Sequence, residues 1–415
     1  MEPAAPATQS GRAWATFAIG VASFTLSMFY RVSVTVISPQ LAHDLSLSSS
    51  QLSDLSAAFF YVFAFCQIPL GMVLDRLGAR RVMIVLGVVG VGGAMLFGLA
   101  GSFATATWGR ALMGLGMSCN LMGPFYLIAA WFPPWRFATL TGVLMAIGTL
   151  GQVLGATPLV LLAQELGWRG AFLSVAALNA LQVAGLIILV RDRPQGAPPP
   201  PGAADNPFKG LGRLLKLPAF WVIGISTFFR YGCTMAVMGL WAGPYLIYGV
   251  GLSQVEAGNV LLVMTIGFML GMPLSGRVSD QMLFTRKYVV MPSLFCSALL
   301  FLGLGWVPRG AATWLLYVLF FLLGLAVAPG QIMYAHIKEL VSPGQAARAM
   351  TGINLFTMLG PAMVMQISGL LLHGDPAAAT SPADFWGAWI FMAAGLAGSG
   401  LVYLFIPDSK VQKDY

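Results

Sequence analysis

Residues 71–81 read GMVLDRLGARR, and residues 275–287 read SGRVSDQMLFTRK. Both carry Gly-x-x-x-Asp and then a basic pair: Gly71, Asp75, Arg80 and Arg81 in the first, Gly276, Asp280, Arg286 and Lys287 in the second. Each closes an apolar run of about 20 residues, the length a helix needs to cross a bilayer. Outward from these two stretches, such runs recur through all 415 residues. They lie at roughly 14–37, 52–72, 82–101, 107–131, 138–163 and 170–190, then 218–245, 256–275, 289–306, 313–336, 349–372 and 386–406. The chain is 58% hydrophobic and 9% charged, against about 25% charged for a soluble domain. Helices satisfy their own backbone groups in lipid. The expectation is therefore an all-α membrane protein, with twelve transmembrane helices in two six-helix pseudo-symmetric bundles.

The longest polar interruption, 191–217, is rich in Pro and Gly and ends in the basic piece KGLGRLLK. It reads as a linker along the inner membrane surface. It sets the expected domains: a bundle at 1–190, a cytoplasmic linker at 191–217 and a bundle at 218–415. The repeat extends to SSQLSD (49–54) and LSQVEA (252–257), which place Asp54 and Glu256 at matched outer ends of spans 2 and 8.

A net charge of +8 invites a nucleic-acid reading, but the distribution of the charge argues against one. Of 22 Lys and Arg, Arg169 and Arg309 fall in outer loops, and Arg31, Arg110 and Arg230 fall within or at the edges of spans. The remaining 17 lie on the side of the N-terminus. Positive loops stay inside, so both termini are expected in the cytoplasm, with the protein in a bacterial inner membrane. No cleavable signal peptide is evident, because the first apolar run is span-length. The four cysteines all lie in spans and read as packing residues. There is no nucleotide-binding Gly-rich loop with Lys, no Cys/His cluster and no triad-like grouping. The sequence thus points away from an enzyme, a metal site or a cofactor.

Two arginines sit where a charge is hard to place: Arg31 in SMFYRVSVT and Arg230 in STFFRYGCT. They are 199 residues apart, each in the first span of its half. A charged side chain at the bilayer centre costs roughly 2.5–3.5 kcal/mol on insertion scales, so it usually marks a pathway. Two cations placed by an internal repeat, with no carboxylate nearby in sequence, suggest a central site for an anion. A guanidinium offers a planar donor fork that fits carboxylate or phosphate.

GMVLDRLGARR resembles the loop signature between spans 2 and 3 of the major facilitator superfamily, with Gly71, Asp75, Arg76, Gly78, Arg80 and Arg81 in place. WGRALMGLGMS resembles that family's span 4 signature through Arg110, Gly114 and Gly116. The resemblance covers essentially the whole chain. It implies a secondary carrier that works as a monomer, with its substrate between the halves near the midplane. It also implies that Asp75, Arg76, Arg80, Arg81 and Asp280 form a conformational latch at the inner gate. Arg110 takes part in coupling in proton-coupled relatives, or snorkels at the outer edge here. The Gly-Pro of the antiporter signature is absent from span 5, although Gly360-Pro361 stands in span 11.

The stretch from Phe29 to Arg81 resembles the organic anion symporters of this superfamily, which include sugar-acid, phthalate and sialic-acid carriers. Those carry an Asp-Arg pair in span 1, whereas this chain has Tyr30 before Arg31 and no carboxylate in the body of span 4. The paired arginines also resemble those of the organophosphate antiporters. The polar residues expected to complete a substrate site are Tyr30, Tyr61, Asn120, Tyr126, Gln331, Tyr334 and Asn354. If a proton moves with the anion, His336, Asp54, Glu256 and Arg110 are the candidates to couple it. Asp54 and Glu256 read equally well as an outer gate or as helix caps. The leading expectation is a carrier of a small organic anion, a carboxylate. The alternative is a drug or metabolite efflux carrier (a proton antiporter), which would tolerate loss of Arg31.

Overall fold

The computed structural model describes residues 11–193, 214–341, 343–372 and 381–409, apart from the side chains of residues 68, 71, 72, 75, 134, 135, 137, 138, 343–348 and 351. Most of the linker, and with it the test of the domain boundaries, lies outside the described residues. So does most of KGLGRLLK.

Among the described residues, twelve helical passes follow in the expected order. Span 1 comprises Gly11–Val32 and Val34–Leu45, joined at Ser33; span 2 is Ser49–Leu77; span 3 is Ala79–Gly98. Span 4 comprises Phe103–Met117 and Met122–Trp131. Span 5 starts as Pro134–Leu154 and continues into the helix Thr157–Leu189, which breaks at Gly167. There φ is +66°, a left-handed value that glycine adopts without penalty, and the chain reverses on that residue into span 6. Span 7 runs from Pro218–Ala236 through π-helical turns at Val237–Trp241 and Tyr245–Val250. Span 8 is Gln254–Arg277, span 9 Lys287–Leu304, span 11 Pro343–Leu371 and span 12 Trp386–Tyr403. Span 10 joins Thr313–Val327 to Ile332–Leu340 through a 3-10 turn at Ala328–Gln331. Among the described residues, ten helices are long and apolar enough to cross a membrane.

Local chemistry starts these helices. Spans 2, 4 and 8 open on capping boxes, Ser48 with Gln51, Ser102 with Thr105 and Ser253 with Glu256. Each box satisfies amide groups that the first turn leaves unpaired. Glycines then let the helices touch. A methyl group on Gly151 would overlap the Thr25 carbonyl oxygen, and one on Gly360 would overlap that of Phe228. Gly114 abuts the Phe59 carbonyl in the same way, and Gly324 that of Met264. So spans 1 and 5 pack as spans 7 and 11 do, and spans 2 and 4 as spans 8 and 10 do. This is the pseudo-symmetry of the two bundles at the level of single contacts. Small residues at crossings are how helices associate in lipid. Exposed Trp108, Trp306 and Trp314 sit at span ends on one side of the molecule, in the manner of an interfacial aromatic belt.

The two halves meet at the end that carries the 1–2 and 7–8 turns. Ser53 faces Gly369, and Gly258 faces Thr157. Thr157 Oγ1 donates to Asn259 Oδ1 at 2.7 Å, and Gln40 Nε2 donates to Gln254 Oε1 at 3.3 Å. The capping boxes and the two Asp motifs share one repeat offset of 205 residues. That register corrects the sequence pairing of Asp54 with Glu256. Glu256 matches Gln51, and Asp54 matches Asn259.

Candidate anion site between the halves

Arg31 and Arg230 are 3% and 1% exposed. Arg31 Nη1 donates to Tyr231 Oη at 2.9 Å, and its guanidinium lies 4.8 Å from the centre of the Phe63 ring. Arg230 Nη1 donates to the Val327 carbonyl at 3.3 Å, and its guanidinium lies 5.6 Å from the Tyr231 ring. One phenol therefore neighbours both cations. Arg31 Nε and Arg230 Nε and Nη2 are buried without a partner. Such orphaned donors on a charged group are costly. No salt bridge to either arginine is present among the described residues. The result is a buried, electropositive pair of guanidiniums with unpartnered donors.

The helices hold these groups firmly. Span 7 lies directly on span 1: a methyl group on Gly239 would stand 3.0 Å from the Arg31 carbonyl oxygen, and Gly243 presses on the Thr35 carbonyl. Thr35 Oγ1 also donates to the Met238 carbonyl in the first π turn. On the far side, Gly330 in the 3-10 turn of span 10 packs against the Arg230 guanidinium so closely that only hydrogen fits there.

Of the expected site residues, the structure brings Tyr334 and Asn354 to the arginines. Tyr334 Oη contacts Asn354 Oδ1 at 3.1 Å and Thr357 Oγ1 at 2.7 Å, and its phenol lies within Coulomb range of both guanidiniums. Gln331 is half-buried at the end of the same 3-10 turn, and Tyr126 is 40% exposed on span 4. Three others point elsewhere. Tyr30 is fully buried inside the first half, beside Arg110 and Asn179. Asn120 spends its amide on the Ser23 carbonyl at 3.0 Å and on Met117 Sδ. Tyr61 donates to Gln366 Oε1, and Gln366 Nε2 donates to Asp54 Oδ1 at 2.7 Å. Asp54 and Tyr61 thus belong to the seam that joins the halves, whereas Glu256 caps span 8.

The remaining candidates also separate by position. Arg110 does not snorkel. It is 0% exposed, donates to the Tyr30 carbonyl at 2.8 Å and lies 4.9 Å from the Phe59 ring. His336 is buried between Tyr403 Oη at 2.7 Å and the Pro407 carbonyl at 3.1 Å, inside the second half. Of the expected latch, the Asp75 side chain lies outside the described residues, and Arg76 and Arg81 are exposed. Arg80 donates to the Ile187 carbonyl at 2.7 Å within its own half. Asp280 pairs with Arg286, which also holds Glu339 at 2.9 Å. Among the described residues, no hydrogen bond or salt bridge from these charges crosses between the halves.

Sequence reading missed Tyr231, Gly330, Asp192 and Asp408. The two aspartates cap the starts of spans 3 and 9: Asp192 accepts from the Arg80 amide at 2.7 Å, and Asp408 from the Lys287 amide at 3.0 Å. Their sequence signal is an aspartate just after span 6 and again just after span 12, in VRD and IPD.

Comparison with known proteins adds four findings. The Major Facilitator Superfamily model matches residues 19–283 and 223–414. A hexuronate transporter of Bacillus subtilis strain 168 is 27% identical over 328 residues, covering 75% of this chain and 76% of its own. An MFS-type efflux pump of Mycolicibacterium smegmatis is 26% identical over 419 residues, covering 97% of this chain and 94% of its own. Among solved structures, a bacterial homolog of the human lysosomal transporter Spinster, inward-facing and unoccupied, superposes with a TM-score of 0.76 at 17% identity, covering 95% of this chain and 96% of that one.

Proposed function

The chain belongs to the Major Facilitator Superfamily, and we propose that this integral membrane transporter moves a small organic anion, a carboxylate, by alternating access. Arg31 and Arg230 grip the anion from opposite halves. The observation that carries this reading is the pair of buried guanidiniums with unpartnered donors and no salt bridge among the described residues. Two forks converging on one anion satisfy those donors and draw the halves together. The name of the Bacillus subtilis relative agrees with a carboxylate cargo. The termini face the cytoplasm by the charge asymmetry, which puts the seam that joins the halves on the outer side. The domains are the two bundles, 1–190 and 218–415, about the linker.

The Mycolicibacterium relative, which spans 97% of this chain, favours efflux as the second reading. One experiment separates the two. Purified protein is screened by thermal shift against monocarboxylates, dicarboxylates, sugar acids, aromatic acids and sugar phosphates, alongside Arg31→Ala and Arg230→Ala. A ligand that binds the folded state raises Tm by mass action. Stabilisation by one anion class, lost in both variants, supports the two-arginine clamp and names the cargo's chemistry, a carboxylate on this reading. Stabilisation that survives both substitutions, or no anion response, sinks it in favour of efflux.

A further inference from the structure

We infer that Tyr231 is a third anion ligand, a hydroxyl donor that joins the two halves through the bound carboxylate. The inference rests on the two-arginine reading above and adds a residue that neither the repeat nor the family signature marks. Tyr231 stands one position after Arg230, yet its hydroxyl is the partner of Arg31 from the other half, at 2.9 Å. In that bond Arg31 donates and Tyr231 accepts. A phenol has one proton of its own to give, and among the described residues no acceptor takes it. A hydroxyl polarised by a cation is a stronger donor. Here that donor lies 2.9 Å from Arg31, the Arg230 guanidinium lies 5.6 Å from the centre of its ring, and both arginines keep orphaned N–H groups. An anion there would take N–H bonds from both arginines and the O–H bond from Tyr231. The phenol would then connect Arg31, in the first half, to an anion anchored on Arg230 in the second. The same geometry favours cargo with two adjacent acceptor oxygens, as in a carboxylate, over a neutral solute.

The test compares the parent protein with Tyr231→Phe, using glucuronate and tartrate as probes. Binding is read by titrated thermal shift, and folding by size-exclusion profile and ligand-free Tm. Loss of one hydrogen bond to a charged partner lowers affinity by about tenfold to a hundredfold. The expected result is that loss for any probe that stabilises the parent, with ligand-free Tm nearly unchanged. Affinity that is equal or tighter in Tyr231→Phe overturns the inference, and tighter binding would make the phenol a competitor for Arg31. A second variant, Tyr231→His, retains a donor on a ring and restores part of the affinity if donation is the role. The arginine variants keep the two claims apart. If a probe stabilises the parent and this is lost in Arg31→Ala but not in Tyr231→Phe, the clamp stands and the third ligand falls. If neither probe stabilises the parent, the same comparison is made with the carboxylate class that the thermal-shift screen returns, and a screen that returns none overturns both the carboxylate reading and the inference built on it.

Discussion

Arg230 can be buried only because its neighbour on span 10 lacks a side chain. The methyl group of Gly330→Ala would occupy the space of Arg230 Nε, so the guanidinium must swing away. Overpacking of this kind typically costs about 1–3 kcal/mol. We expect Gly330→Ala to fold with a lowered Tm and to lose its anion response as completely as Arg230→Ala. Gly303→Ala on span 9 is the control: nothing stands within 4 Å of the added carbon, so anion response and Tm should hold. An unchanged anion response in Gly330→Ala would mean that Arg230 works from another position. Neither Gly330 nor Tyr231 was legible in the sequence. The reason lies in helix geometry: adjacent residues do not share a face, so the neighbour of a functional arginine carries no default role. Tyr30 illustrates this from the other side. It stands beside Arg31 in sequence, but its ring goes into the first bundle with Arg110.

At the scale of elements, what the sequence made plain was periodic and local: the spans, the turn motifs and the capping boxes. It left hidden the contacts that join distant elements. Asp44 is one of these, exposed and beyond the apolar run (14–37) of span 1. It accepts from Trp168 Nε1 at 2.9 Å and from Arg169 Nη1 at 2.8 Å, and so ties the 1–2 turn to the start of span 6. The Trp168 hydrogen bond, then that of Arg169, holds its carboxyl below the ordinary carboxylate value. The sign follows from linkage. A carboxyl whose folded pKa is depressed adds stability above its unfolded value of about 4, and this is lost as pH falls through the folded pKa. Asp44→Asn should therefore lower Tm at neutral pH, with the gap to the parent closing in acid below about pH 4. Both ion-pair partners are more than a third exposed, so solvent screening keeps the gap small. A gap independent of pH would assign the effect to packing instead of charge.

At the scale of the whole molecule, the seam residues Asp54 and Asn259 stand in the same 205-residue register as the motifs that first gave away the fold. Asp54 reaches Gln366 across one side of it, and Asn259 reaches Thr157 across the other. Span 2 thus meets span 11 as span 8 meets span 5. The inner charge networks, Arg286 with Glu339 and Asp280, and Asp192 on span 3, stay within single halves. These cross-half bonds sit at one end of the molecule, as the shut gate of the proposed alternating-access cycle would. Transport then requires the Asn259–Thr157 contact to part once per cycle. Replacing both residues by cysteine, in a chain whose four native cysteines are serines, places two thiols where a 2.7 Å hydrogen bond now lies. Bridging them with a short, reducible bifunctional reagent should stop uptake of the transported anion into proteoliposomes, and reductant should restore it. Each single-cysteine variant should transport with or without the reagent. Anion binding measured from the inner side should survive the bridge, because the bridge lies at the opposite end. Full transport by the bridged double variant would show that the seam never separates, and alternating access through this gate would have to be abandoned.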